Sequence, residues 1–319
     1  MAKVSRFAKM SSGLLPLRPP GLARDAPVTT MPTLIYGTAW KKDRTAELVY
    51  TALKAGFRAV DTAAQPKHYR EDLVGDGVRR ALEEGIAKRE ELYIQSKFTS
   101  VQGQDPKNMP YSANMNISDQ VHTSIKSSLH NFKTSSSSDS DYIDTLVFHS
   151  PLPTIEQTIQ AWKTAESYVL NGQIRNLGIS NCSISVLEAL YKSPEVTVKP
   201  AVVQNRFYQD TGFDVELRAF ARDHDIIYQS FWTLTANPFL LESDPVEKLS
   251  STAGIGLAPA LYALVLSLGK TSILDGTTKE QHMADDLAAL SVVDEFAAQH
   301  PGEWTAVVDG FKRLIGEKG

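Results

Sequence analysis

The chain of 319 residues is 42% apolar and 22% charged, which excludes a disordered chain and leaves length for a large core. Its 33 Lys and Arg against 37 Asp and Glu leave a formal charge of −4, which argues against nucleic acid or an anionic membrane as partner. A single cysteine, Cys182, excludes an internal disulfide and, with no clear signal peptide, suits a reducing, cytoplasmic compartment.

Residues 1–28 are basic and rich in Ser and Pro, with Asp25 the one acidic residue. They read as an N-terminal extension, flexible or clamped to the body, with a faint likeness to a transit peptide. From residue 29 to the end the chain reads as one unit in which strand-length apolar runs alternate with helical periods. The strand candidates are TLIYGTA (33–39), FRAVDTA (57–63), LYIQSKF (92–98), IDTLVFHS (143–150), IRNLGIS (174–180), PAVVQNRF (200–207), IIYQSFW (226–232) and TSILDGT (271–277). Between them, Ile155, Ile159, Trp162 and Val169 share one helical face, and 214–222 and 279–290 read likewise. The apolar stretch 254–269 is short of the roughly 20 residues that span a bilayer and is interrupted by Pro259, so it reads as a buried helix. One more helix is expected around 304–315. Two excursions break the regularity: 99–116, a candidate substrate loop after the third strand, and 134–139 (TSSSSD), a solvated linker on the opposite face.

Strict strand-then-helix alternation implies a parallel sheet, because each right-handed crossover returns the chain to the same end. Eight such units predict an α/β fold, a (β/α)8 TIM barrel with a closed parallel sheet over 29–319. The rival, a doubly wound sheet, wants G-x-G-x-x-G after its first strand, where this chain has GTAWKK.

In a barrel, polar residues at strand C-termini converge on one rim. Here they are Asp61, Lys97 and His149 after the second, third and fourth strands, with Tyr69 in the loop after the second. Singly, each reads as structural: an aspartate capping a loop, a packed histidine or lysine. Together on three adjacent strands they read as a site. A tyrosine near pKa ~10 is a poor proton donor at neutral pH. A lysine ammonium at ~4 Å would pull it toward ~7, less whatever an aspartate partner of the lysine offsets. Asp61 would hold Lys97 in place and His149 would donate to a substrate oxygen. This set suits reduction of a carbonyl.

The stretches YGTA (36–39), GFRAVDTA (56–63), YREDLVG (69–75), LYIQSKF (92–98), DYIDTLVFHSP (141–151), GQIRNLGISN (172–181) and VVQNRFY (202–208) together resemble the aldo-keto reductase family. The resemblance implies that Asp61, Tyr69, Lys97 and His149 are the catalytic tetrad. It further implies that Ser180, Asn181 and Gln204 hold the nicotinamide carboxamide, with Phe231 stacked on the ring. Trp232 to Leu234 would begin the loop over the pyrophosphate, and Thr38, Asp275, Gly276 and Thr277 complete the cofactor set. The implied partners are a small-molecule carbonyl substrate and NADP, favoured by family habit, with NAD possible because Asp275 stands where a lysine usually grips a 2′-phosphate. No His, Cys, Asp or Glu cluster has metal-ligand spacing.

The family usually places its tyrosine five residues after the aspartate, where this chain has Pro66; Tyr69 comes at the eighth. Three extra residues displace a chain by up to ~10 Å if extended, unless a turn fixed by Pro66 absorbs them. Two other readings stand beside the reductase. One is a cofactor-binding accessory protein with little activity. The other is a Schiff-base aldolase using Lys97, which an Asp61 partner disfavours.

Overall fold

Eight short strands close into a parallel barrel in the structure, a computed structural model that describes residues 13–17, 29–134 and 142–317. A hairpin precedes it: β1 (Leu14–Leu17) pairs antiparallel with β2 (Thr29–Pro32). The barrel strands are β3 (Leu34–Gly37), β4 (Ala59–Asp61), β5 (Tyr93–Phe98), β6 (Ile143–Phe148), β7 (Ile174–Ser180), β8 (Val202–Arg206), β9 (Ile227–Phe231) and β10 (Thr271–Asp275). Each pairs with the next in chain order, and β10 closes on β3. The eight runs expected from the sequence are these eight strands. The linker beyond Thr134 and most of the N-terminal extension, 1–12 and 18–28, lie outside the described residues.

Helices α1 (Thr45–Ala55), α2 (Glu71–Glu83), α3 (Ile117–Asn131), α4 (Ile155–Leu170), α5 (Ile184–Lys192) and α6 (Val215–Asp223) follow successive strands. Their starts are set locally: the side chains of Asn116, Thr154 and Ser183 accept the backbone N–H groups of Asp119, Gln157 and Val186. The seventh connection carries α7 (Pro238–Leu241), α8 (Asp244–Ala253) and α9 (Leu257–Leu266). The last of these is the buried helix expected at 254–269, with Pro259 in its first turn, where no N–H is required. Two final helices, α10 (Glu280–Gln299) and α11 (Pro301–Leu314), complete the chain; the first runs past Leu290, where its apolar period fades. Among the described residues no single helix is long and apolar enough to cross a membrane.

Alternation along the strands fills the barrel in layers. At the bottom, Met31 from the hairpin packs with Ile35, Ala59, Tyr93, Val202 and Ile227. Above lies a polar layer: Gln95, Gln204 and Gln229 bond one another, and the first two also donate to Asp61 at 2.7 and 3.1 Å. Two residues further along their strands come Lys97, Arg206 and Phe231, at the mouth.

Close packing fixes where α2 starts, and so where the preceding loop must end. A Cβ at Gly75 would lie 2.0 Å from the carbonyl oxygen of Asn131 on α3. Gly75→Ala is expected to destabilise the fold by about 3 kcal/mol, the upper end for an overpacked site, measured as a lowered urea midpoint.

Candidate active site

The residues AQPKH after Asp61 form one helical turn. The N–H groups of His68 and Tyr69 both donate to the carbonyl of Gln65, at 3.2 and 3.1 Å, and Pro66 fixes φ at the first corner. Coiling thus absorbs the extra residues that an extended chain would have spread over ~10 Å. The turn is held from outside: the N–H of Trp40 donates to His68 at 2.8 Å, and Gln65 Nε2 donates to Gly103 at 2.7 Å. Just beyond it, the buried Glu71 carboxylate accepts from Ser96, Ser128 and Asn131, pinning the start of α2 to β5 and α3.

Lys97 Nζ lies 2.5 Å from Asp61 Oδ2 and 2.9 Å from the Thr62 carbonyl, with both side chains buried. Burial pulls the Lys97 ammonium down, and the carboxylate of Asp61 opposes it. Tyr69 stands over this pair, its ring centroid 5.2 Å from Lys97 Nζ and 5.9 Å from the His149 ring, which it meets edge-on. The structure therefore brings Asp61, Tyr69, Lys97 and His149 together.

It corrects the expected tuning of the phenol. Burial, then the charge of Asp61, pushes Tyr69 well above the ordinary tyrosine value. The charge of Lys97 is spent on Asp61, so no lowering toward 7 results, and Tyr69 holds its proton firmly. His149 moves the other way. Burial, then Lys97, then His68, pulls its imidazole down to about 3, so the ring is neutral at ordinary pH. Its Nδ1 lies 2.8 Å from Thr99 Oγ1, and its carbonyl accepts from Asn181 Nδ2 at 2.8 Å.

A crevice of about 1080 Å³ opens above these residues. Asp61, Tyr69 and His149 line one end with Trp40 and His68, whose rings stack at 3.8 Å. Ser180, Asn181, Gln204, Phe231, Trp232 and Leu234 line its middle, and Asp275, Gly276 and Thr277 its far end. Thr38 does not line it: fully buried, it donates to the carbonyl of Asp61 at 2.9 Å, tying β3 to β4. Nor does the expected substrate loop 99–116, which folds back onto the barrel. Tyr111 Oη donates to the Thr99 carbonyl at 2.5 Å and Gln104 Nε2 to that of Ala64 at 2.8 Å, so this loop buttresses Thr99 and the turn. The wall comes instead from the segments Thr233–Thr235 and Gly254–Pro259 and from α10, whose Asp285 and Asp286 face Asp275. Burial, then the charge of Asp275, pushes Asp286 up to about 8.

Two polar residues missed from sequence had a signal. Gln95 and Gln229, like the expected Gln204, each stand two residues before Lys97, Phe231 or Arg206, a repeated Gln at one depth of three strands. Cys182 behaves as a small packed residue: buried, its thiol is pushed up to about 12. Among the described residues no group of three His, Cys, Asp or Glu is placed to hold a metal ion.

An eight-stranded parallel barrel whose C-terminal mouth holds a long crevice above buried ionisable groups defines a barrel enzyme. The sequence matches the model of the aldo/keto reductase family over residues 33–308, and the chain belongs to that family. It is 29% identical over 242 residues to an uncharacterized oxidoreductase of Schizosaccharomyces pombe, covering 75% of each chain. It is 32% identical to an NAD(P)H-dependent D-xylose reductase of Candida tenuis, over 54% of this chain and 55% of that one. An NAD(P)H-dependent pentose reductase of Pyricularia oryzae is 27% identical over 76% of this chain and 75% of its own. The crystal structure of an aldo/keto reductase from Brucella melitensis shares the fold, with a TM-score of 0.66, 21% identity, and coverage of 88% of this chain and 96% of that one.

The depressed His149 sets a pH dependence of stability. Below its unfolded value of 6.5 the unfolded chain takes up a proton that the folded ring refuses until about 3, so this contribution is lost as pH falls. From pH 7 to pH 5 the loss is expected to be about 2 kcal/mol. Urea unfolding at the two pH values should show it in the wild type, with a flatter slope in His149→Gln.

Proposed function

We propose that the chain reduces a small aldehyde or ketone with a nicotinamide cofactor, Tyr69 acting as the general acid. The observation that carries this reading is the convergence of Tyr69 and His149 on one crevice, with the Lys97–Asp61 pair directly behind the phenol. The residues fit a dinucleotide. The crevice exceeds the roughly 300–1,000 Å³ typical of small-molecule sites and is graded from an aromatic wall at Phe231 to polar groups at its far end. Gln204 turns Nε2 toward Asp61 and Gln229, which leaves Oε1 to accept from a carboxamide, beside Ser180 and Asn181.

When bound, the cofactor supplies hydride to the carbonyl carbon. The chain's own residues manage the oxygen. His149, neutral and with Nδ1 accepting from Thr99, presents Nε2–H to the carbonyl and fixes its orientation. Tyr69 then gives its proton to the oxygen as negative charge builds there. The phenolate left behind has the Lys97 ammonium 5.2 Å from its ring centroid, a cation already matched by Asp61. Asp61 keeps Lys97 charged throughout, which disfavours Schiff-base chemistry at that lysine.

NADPH or NADH is the cofactor, as for the NAD(P)H-dependent and NADPH-dependent relatives. The upward push on Asp286 limits the negative charge that a 2′-phosphate would meet at the far end. Xylose and pentose reductases among the relatives make aldoses the first substrates to test.

Tyr69→Phe is expected to lower kcat for carbonyl reduction by at least ~100-fold. Quenching of tryptophan fluorescence by NADPH or NADH should persist in the variant. Intact turnover in Tyr69→Phe would rule out the assignment of the acid.

A further inference from the structure

Arg206 has no role in the chemistry above, yet it occupies a privileged place. It is the last residue of β8, on the inward face two residues past Gln204 and paired in register with Phe231. Its guanidinium lies 4.2 Å from the Trp232 ring centroid and 5.0 Å from that of Tyr208, and it borders the crevice beside Asn181. Among the described residues its side chain meets no carboxylate and donates no hydrogen bond, and Nε is buried without a partner.

The neighbouring charges are already matched. Asp61 belongs to Lys97. Asp214, behind Arg206, accepts from Asn205 and Tyr228, each at 3.0 Å, and Glu317 accepts from Arg218 at 2.6 Å and forms an ion pair with Arg222 at 3.4 Å. Asp275, Asp285 and Asp286 stand at the far end, beyond β9, near Lys41 and His282. A guanidinium stacked on an aromatic ring with its donors free is an arrangement that selects anions, by a fork of parallel N–H bonds.

We propose that Arg206 is an anion anchor of the crevice, taking a phosphate of the cofactor or a carboxylate on the carbonyl substrate. The proposal rests on the reductase reading for its ligands, but the anion itself can be tested apart from it. Stacking on Trp232 and Tyr208 prepays much of the ordering of a long side chain, so the fork meets its ligand pre-positioned.

The test compares the wild type with Arg206→Met and Arg206→Lys, each checked for fold by its thermal transition. Dissociation constants for NADPH, NADH and inorganic pyrophosphate are read from tryptophan quenching. KM is measured for succinic semialdehyde, which carries a carboxylate, and for butanal, which does not. Arg206→Met is expected to weaken one anionic ligand by about 10- to 100-fold, with Arg206→Lys recovering part of the loss. Weaker dinucleotide and pyrophosphate binding would place the cofactor's phosphates on Arg206. A raised KM for succinic semialdehyde, with the ratio to butanal collapsing, would place the substrate's carboxylate there. Equal constants for all these ligands in the wild type and Arg206→Met would overturn the proposal. Should the wild type bind pyrophosphate but no nicotinamide, the reductase reading fails while the anchor stands.

Discussion

The buried pair of Lys97 and Asp61 is the interaction on which the rest of the mouth depends. Neither charge is tolerable alone at this depth, since removing one partner of a buried pair costs ~3–5 kcal/mol. The barrel secures the pair with neighbours that cannot themselves ionise: amides of Gln95 and Gln204 on one carboxylate oxygen, a backbone carbonyl on the ammonium. Because the pair is nearly neutral as a unit, the groups above it respond mainly to burial. Burial favours the protonated phenol of Tyr69 and the neutral imidazole of His149, and these are the forms in which each can donate to an oxygen.

Position is secured by a different device. Tyr69 sits on a loop, and loops are usually the least constrained part of a barrel. Here the loop is a helical turn closed by its own backbone, fastened to the first connection through Trp40 and to the third through Gln65. The third connection, long enough to suggest a lid, serves as scaffolding: it holds Thr99 against His149 and a glutamine against the turn. Tyr69 and His149 thus share one support.

Much of this was legible in the sequence. The eight strands announce themselves because each is an apolar run bounded by polar helices, and the convergence of Asp61, Lys97 and His149 because strand ends in a barrel have one place to go. The direction in which Tyr69 titrates was not legible, because it depends on how completely neighbours exclude water, which no spacing encodes. Nor was the path of AQPKH, where extended and coiled conformations differ only in backbone bonds to residues far along the chain. The wall of the crevice was misassigned for a related reason. Loop length marks 99–116 as an excursion but not the side on which Tyr111 and Gln104 find their acceptors. Thr38 was misplaced by position alone: it follows the first strand, as a cofactor contact would, but its hydroxyl turns inward to β4.

The layer of glutamines has one further effect. Below Asp61 the barrel interior offers amides, a threonine, a tyrosine held far from ionisation and then hydrocarbon. None of these gives up or takes a proton near neutral pH. The barrel therefore acts as an electrical insulator under the site, and every proton that enters or leaves must cross the mouth. A ligand that fills the mouth would close that compartment, and proton exchange at Tyr69 and His149 would then wait for the crevice to empty.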